Sequence, residues 1–301
     1  MITQGDFNLL FRSGLRKDFR DSFALYEPEY TQYLKQSTMN GPEIEATIIT
    51  GHKRLLERGD GESVVYEDPK LGPKVVGVDK EFALGFAITR RTVEDDKYNK
   101  ANQASKWLAH AARMTFEYRS AALLDDAFSG STFLGIDGLR LCHTAHTLIN
   151  SATTVSNQVS PAVSFSVTGV NALMNIRENI KDENGDPIKT MSNAIIYNPN
   201  QKSLAIQIFG SDLEPFTADN QDNAIKKRLG GVKHIVKRYT TSTTSYFLID
   251  TNDNDAHFVV RRPVDFDDTF DFDTDAAKYK TTTRFLVWFV DWRAWAGSNA
   301  S

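Results

Sequence analysis

The stretch Lys80-Glu-Phe-Ala-Leu-Gly-Phe-Ala-Ile-Thr89, followed by Arg90-Arg-Thr-Val-Glu-Asp-Asp96 and running on to Gly130, decides how this chain is read. Phe82, Leu84, Phe86 and Ile88 alternate with smaller or charged neighbours, the period-two signature of a strand with one buried face. The period then changes. From Val93 to Phe128 there is neither Pro nor Gly, and Ala, Leu, Lys, Glu and Arg dominate. Thr92 is the expected N-cap, with Glu94, Asp95 and Asp96 in the first turn, where the helix dipole favours negative charge. At about 1.5 Å per residue, a helix over about 92–127 is roughly 50 Å long, against the usual ~8–20 residues. Its apolar stripe (Trp107, Leu108, Ala111, Met114, Phe116, Tyr118, Ala122, Leu123) is discontinuous. Such a helix is expected to act as a spine for other elements rather than as the wall of a catalytic cleft.

Composition narrows the class. A chain of 301 residues, 41% hydrophobic and 25% charged, is ordinary globular material for about two domains or one elaborated domain. The net charge of −4 carries no basic footprint, so a general nucleic-acid binder is not expected. The single cysteine, Cys142, can form neither an intrachain disulfide nor a cysteine-based zinc site. The first residues lack a basic and then apolar leader, and no run approaches the ~18 apolar residues of a membrane span. A soluble product made in the cytosol is expected.

Upstream of the deciding stretch, residues 6–35 form an amphipathic helix candidate. Phe7, Leu10, Phe11, Leu15, Phe19 and Phe23 recur at three- and four-residue spacing, opposite Arg12, Arg16, Lys17, Arg20 and Asp21. Two readings stay open: a helix docked on its own domain, or an arm docked on a neighbouring subunit. The second reading rests on the turn-rich break over Ser37–Pro42, which separates the segment from the rest. Residues 43–80 read as an extended β excursion, with strands expected near Ile44–Thr50, Ser63–Glu67 and Lys74–Val78. It holds few large apolar residues, so it cannot bury much surface by itself and needs a partner surface to be ordered. A solvent-exposed hairpin is the plainer alternative.

Downstream, residues 129–161 are loop-rich, with Leu139–Leu141 a possible strand. Val167–Ile180 reads as a helix, closed by the turn Asp182-Glu-Asn-Gly-Asp-Pro187. Asn193–Asn198 is a short buried strand, and Pro199 opens a helix that Gly210 closes. Residues 211–231 look like polar loop. Strands follow at Val232–Arg238, Tyr246–Asp250, His257–Arg261 and Thr281–Asp291, with an aromatic C-terminal strand at Trp292–Ala296.

A search for chemistry returns little. Cys142-His-Thr-Ala-His146 invites a metal reading, but structural zinc needs four ligands in paired spacing and no second pair lies near. A thiol nucleophile there would lack an orienting third residue. Gly135-Ile-Asp-Gly138 follows neither dinucleotide nor phosphate-loop spacing. The acidic run Asp265–Asp275 lacks the Gly and terminal Glu of a helix-loop-helix calcium site; a solvent-facing acidic strand, or one facing a basic neighbouring subunit, fits better. No catalytic residue, cofactor or metal is therefore expected, and an enzyme would have to act without a recognisable constellation.

The order of elements resembles the tailed-phage major capsid proteins of the Hong Kong-type fold. Lys80-Glu-Phe-Ala-Leu-Gly-Phe-Ala-Ile-Thr-Arg-Arg-Thr-Val-Glu-Asp-Asp96 looks like the motif before the long helix in Mu-type head subunits. Ala111-Ala-Arg, Ala121-Ala-Leu-Leu, Gly138-Leu-Arg-Leu-Cys-His-Thr-Ala-His146 and Tyr279 to Gly297 resemble the helix body, the following loop and the C-terminal end. The resemblance implies an α+β fold with an N-terminal arm (1–42), an extended β-loop (43–80), a peripheral domain (81–134 and 251–301) with a spine helix (about 92–127), and an axial domain (135–250). It implies a non-enzymatic subunit that self-assembles into hexamers and pentamers of an icosahedral shell around double-stranded DNA, without sequence-specific binding. Virion location, assembly in the host cytoplasm, a separate scaffolding protein, a portal and a decoration protein follow from the same resemblance. The alternative is a phage tail or baseplate component, which fits the polar β content but not the long helix. For assembly contacts we single out Phe7, Phe11, Leu15 and Phe19 on the arm. Lys53, Arg54 and Arg58 on the loop are set against Asp265, Asp267 and Asp268.

Overall fold

A computed structural model describes residues 4–89, 91–92, 100–216, 221–271 and 276–300, and the side chains of these apart from 4–13, 100 and 101. Two four-stranded sheets organise the chain, and the deciding stretch supplies an edge strand to the first. Strands β1 (Lys35–Thr38), β4 (Lys80–Thr89), β10 (Ala256–Asp271) and β11 (Ala276–Phe289) lie in the order β1-β10-β11-β4. The second sheet has the order β12-β9-β7-β8, from β7 (Ala194–Tyr197), β8 (Lys233–Val236), β9 (Tyr246–Ile249) and β12 (Trp295–Ser298). Strands β2 (Glu43–Ile49) and β3 (Leu71–Val78) form a separate hairpin, as do the two-residue strands β5 (His146–Thr147) and β6 (Thr154–Val155). The helices are α1 (Gln4–Leu25), the spine α2 (Lys100–Asp125), α3 (Val167–Glu178), α4 (Lys202–Gly210) and α5 (Ala224–Arg228). Among the described residues no helix is long and apolar enough to cross a membrane.

The described spine, with 26 residues, is about 39 Å long. Its discontinuous stripe resolves into two faces: Leu108, Ala112, Phe116, Leu123 and Leu124 are buried, whereas Trp107 and Tyr118 are open. Phe116 is the aromatic hub of the main core, edge-on to Tyr30, Phe258 and Phe285 with centroids 6.3, 5.3 and 4.8 Å away. That core runs without a break from the first sheet to Ile196, Phe247, Ile249 and Trp295 of the second. Residues 93–99, with the expected acidic first turn at Glu94, Asp95 and Asp96, lie outside the described residues. Thr92 is already helical, and its N–H points to Thr89 Oγ1 at 3.4 Å, so the hydroxyl at the helix start is Thr89 rather than Thr92.

Several expectations need correction. The N-terminal helix ends at Leu25, ahead of Pro28, and residues 35–38 then pair in parallel with β10 instead of continuing the helix. Ser63–Glu67 is not a strand: it runs on irregularly from the turn at Asp60–Gly61, unpaired with any described strand. Strand β3 begins earlier than Lys74 and carries Pro73 past the ladder irregularity between Thr47 and Ile49, where a missing N–H costs least. Leu139–Leu141 stays irregular, and the stretch 211–231 contains α5, capped by the Asn223 side chain accepting from Lys226 N–H. The segment His257–Arg261 is the start of a strand three times as long as expected, which absorbs Asp265, Asp267 and Asp268. Residues 295–298 pair with β9 in the second sheet, so the C-terminal end returns to the segment 135–250 rather than to the first sheet.

Candidate assembly surfaces

The sharpest local contrast lies in the excursion between β2 and β3. The hairpin is ordered by its own ladder and by Ile44, Ala46, Ile48 and Val75, which pack on Met39, Val259, Trp288 and Val290. Residues 50–70 beyond it form no strand or helix, and they present Leu55 (100% exposed), Leu56, Val64, Val65 and Tyr66 (91%) to solvent. Five large apolar side chains open to solvent within residues 55–66 make this segment a candidate contact surface.

Three of the charges expected to reach other subunits, Lys53, Arg54 and Asp268, are engaged within the subunit. Lys53 pairs with Glu67 at 2.9 Å, and Arg54 pairs with Asp186 in the turn after α3. Asn184 Nδ2 donates to the carbonyls of Gly51 and His52 and fastens the same root. Arg58 is exposed near the loop tip. Asp268 pairs with Arg16 at 3.7 Å, while Asp265 and Asp267 stand exposed on β10, so the structure does not bring the two sets together within one chain.

On the N-terminal helix, Leu15 is completely buried and Phe19 nearly so, against Leu108, Ala109, Phe266 and Tyr279. Ser105 Oγ donates to Leu15 O at 2.8 Å, and Arg113 Nη2 donates to Phe23 O at 2.9 Å with its guanidinium over the Phe23 ring. Of the two open readings, docking on its own domain is therefore the one these two residues follow. The side chains of Phe7 and Phe11 lie outside the described residues. Just beyond the helix, Glu29 N–H donates to the buried Glu117 carboxyl at 2.9 Å, and Glu29 pairs with Arg238 from the turn after β8. Burial pushes the Glu117 carboxyl up to about 7, against the opposing pull of the Tyr30 backbone N–H and of Arg113.

Two structural polar centres were hidden from sequence reasoning. Asp79, the single residue between β3 and β4, has a side chain 1% exposed between Arg261 Nη1 at 2.9 Å and Arg284 Nε at 2.7 Å. Burial acts to raise its carboxyl, but Arg261 and then Arg284 hold it below the usual range. Asn157 is the other. Its Nδ2 donates to Leu141 O and Trp295 O at 2.7 and 3.1 Å, and its Oδ1 accepts from His143 N–H at 2.8 Å. His146 is enclosed beside it, with Nε2 3.0 Å from Asn157 Oδ1, Nδ1 2.5 Å from Asp137 Oδ2, and its ring stacked on Trp292. Both ring nitrogens face partners inside the subunit, so the Cys-His-Thr-Ala-His motif is part of the core that ties the C-terminal strand down. Cys142 is buried and its thiol pushed well up by that burial, which is the opposite of an activated nucleophile. Among the described residues no cluster of His, Cys, Asp or Glu is placed to hold a metal ion. Asp79 meets Arg261 across 182 positions and Asn157 reaches Trp295 across 138, while the rest of the Asn157 centre joins loop residues of irregular backbone, and no local motif announces either.

A family model described as phage capsid protein matches residues 74–298, about three quarters of the chain. Solved structures with the same fold include the mature capsid of bacteriophage PhiM1, at 10% identity and TM-score 0.61 over 91% of this chain and 87% of that one. The procapsid of bacteriophage JBD30 is similar at 16% identity and TM-score 0.56, over 100% of this chain and 77% of that one. A virus-like particle from Pyrococcus furiosus is similar at 13% identity and TM-score 0.53, over 95% of this chain and 98% of that one. No curated protein matches the sequence. These likenesses favour a capsid subunit over a tail or baseplate component. With the hairpin, the spine helix and the two sheets in place, the chain belongs to the phage capsid protein family and has the α+β fold of tailed-phage major capsid proteins.

Proposed function

We propose that copies of this chain close an icosahedral shell of hexamers and pentamers around double-stranded DNA, with residues 50–70 of each subunit lying on a neighbour. One observation carries the reading: Leu55, Leu56, Val64, Val65 and Tyr66 are exposed on a segment with no regular structure, at the end of an ordered hairpin. Fully burying such side chains is worth about 1.5–3 kcal/mol each before ordering costs are deducted. Family membership supports a structural role in the virion. On this reading the first sheet and spine form the peripheral part, residues 135–250 with the C-terminal strand β12 form the axial part, and the shell is built in the host cytoplasm with a separate scaffold, a portal and a decoration protein as partners. The strand-to-helix motif at Lys80–Asp96 supports a place in the Mu-type group.

The test is deletion of Leu55–Tyr66, bridged by a short Gly/Ser linker. The expected outcome is a subunit with unchanged circular dichroism that forms no closed particles by electron microscopy. A deletion that unfolds the subunit would place the segment in a domain core, and one that assembles normally would remove it from the contacts.

A further inference from the structure

The extended hairpin leaves the first sheet at one residue, Asp79, and that residue is held from two strands at once. Arg261 comes from β10 and Arg284 from β11, and both reach the same buried carboxylate. A second pair, Arg262 Nη2 with Glu81 Oε1 at 2.7 Å, flanks it on the first residues of β4. The ladder itself is deformed for the purpose. Register shifts fall between Val260 and Arg262 and between Arg262 and Asp265, around Pro263, so the strand bends where its two arginines turn to the hairpin root. Close packing supports the clamp: a Cβ on Gly77 would stand 2.5 Å from Leu286 and 3.0 Å from Trp288. Apolar contacts on the hairpin's inner face resist separation but allow sliding. Arg261 Nη1 makes a directed charge-assisted hydrogen bond to Asp79 Oδ1 and Arg284 adds an ion pair at Oδ2, so one carboxylate held from two strands resists rotation.

We propose that Asp79 is a positioning residue for assembly: by clamping Arg261 and Arg284 together it sets the angle at which the hairpin leaves the sheet, and so where the loop of one subunit meets the next. The consequence for particles rests on the intersubunit reading of residues 50–70; the angle itself does not. Spin labels at Thr47→Cys on β2 and Lys106→Cys on the spine report that angle in unassembled subunits, and the buried Cys142 does not compete for label. Wild type is expected to give one narrow distance distribution. Asp79→Asn, equal in size, is expected to broaden or shift it with unchanged circular dichroism, and to lower the yield of closed particles at least tenfold or change their diameter. An unchanged distance in Asp79→Asn overturns the clamp, and a changed distance with particles of normal yield and size overturns its role in assembly. Should Asp79→Asn not fold, Arg261→Gln, which leaves Asp79 paired with Arg284, is judged by the same outcomes. If wild type forms no particles, the intersubunit reading fails while the distances still decide the clamp.

Discussion

The N-terminal helix and the loop 50–70 both carry apolar residues on segments that begin outside the main sheets, yet they end in opposite environments. On α1 the apolar residues recur at helical spacing, and Leu15 and Phe19 make one stripe that fits the spine and the β10–β11 ribbon. In the loop, Leu55 and Leu56 are adjacent, as are Val64 and Val65, and neighbours in an extended chain point to opposite sides. No single surface of the same subunit can cover both. Periodicity thus separates the apolar residues buried on folding from those left exposed on the free subunit.

The widest gap between the two regions is expected in subunit stability. Leu15→Ala and Phe19→Ala should each lower the unfolding free energy of the free subunit by about 2–5 kcal/mol in a denaturant titration. Leu55→Ser and Tyr66→Ser should stay within about 0.5 kcal/mol of wild type. Equal losses in both sets would erase the distinction.

A pH titration sharpens the same contrast at the root of the N-terminal segment. Glu117 has its carboxyl raised from 4.5 to about 7 in the folded subunit, chiefly by burial. The folded state therefore holds this proton more tightly, and its contribution is full below pH 4.5 and lost as pH rises through 7. Allowing for solvent screening, wild type should lose about 1–2 kcal/mol relative to Glu117→Gln across that window. A flat difference between the two proteins would show that the docking site does not feel the carboxyl.

The smallest effect belongs to the exposed ion pairs of the loop. Lys53→Ala and Arg54→Ala are expected to leave the thermal midpoint of the free subunit unchanged, since many surface pairs contribute nothing measurable. A clear drop would mean that the pairs with Glu67 and Asp186 hold the loop against its own subunit, and that the loop is less available than its exposure suggests.

Much of this was legible in the residues themselves. The alternation at Phe82, Phe86 and Ile88, the Pro- and Gly-free run after it, the turn at Asp182–Pro187 and the Pro199–Gly210 helix are local patterns that depend on spacing; Leu84, expected on the same buried face, is instead exposed. The separateness of residues 43–80 was legible too, although its hairpin is ordered without a partner chain, by its own ladder and by Ile44, Ala46, Ile48 and Val75. The tertiary structure decided what depends on partners distant in sequence. It placed Leu15 and Phe19 inside the subunit, sent the C-terminal strand to the second sheet, left Ser63–Glu67 unpaired with any described strand, and turned His146 from a candidate ligand into a core contact. Asp79 lies 182 and 205 positions from the two arginines that clamp it. A charge pair at that separation leaves no period and no motif; it exists only once the strands that carry it are side by side.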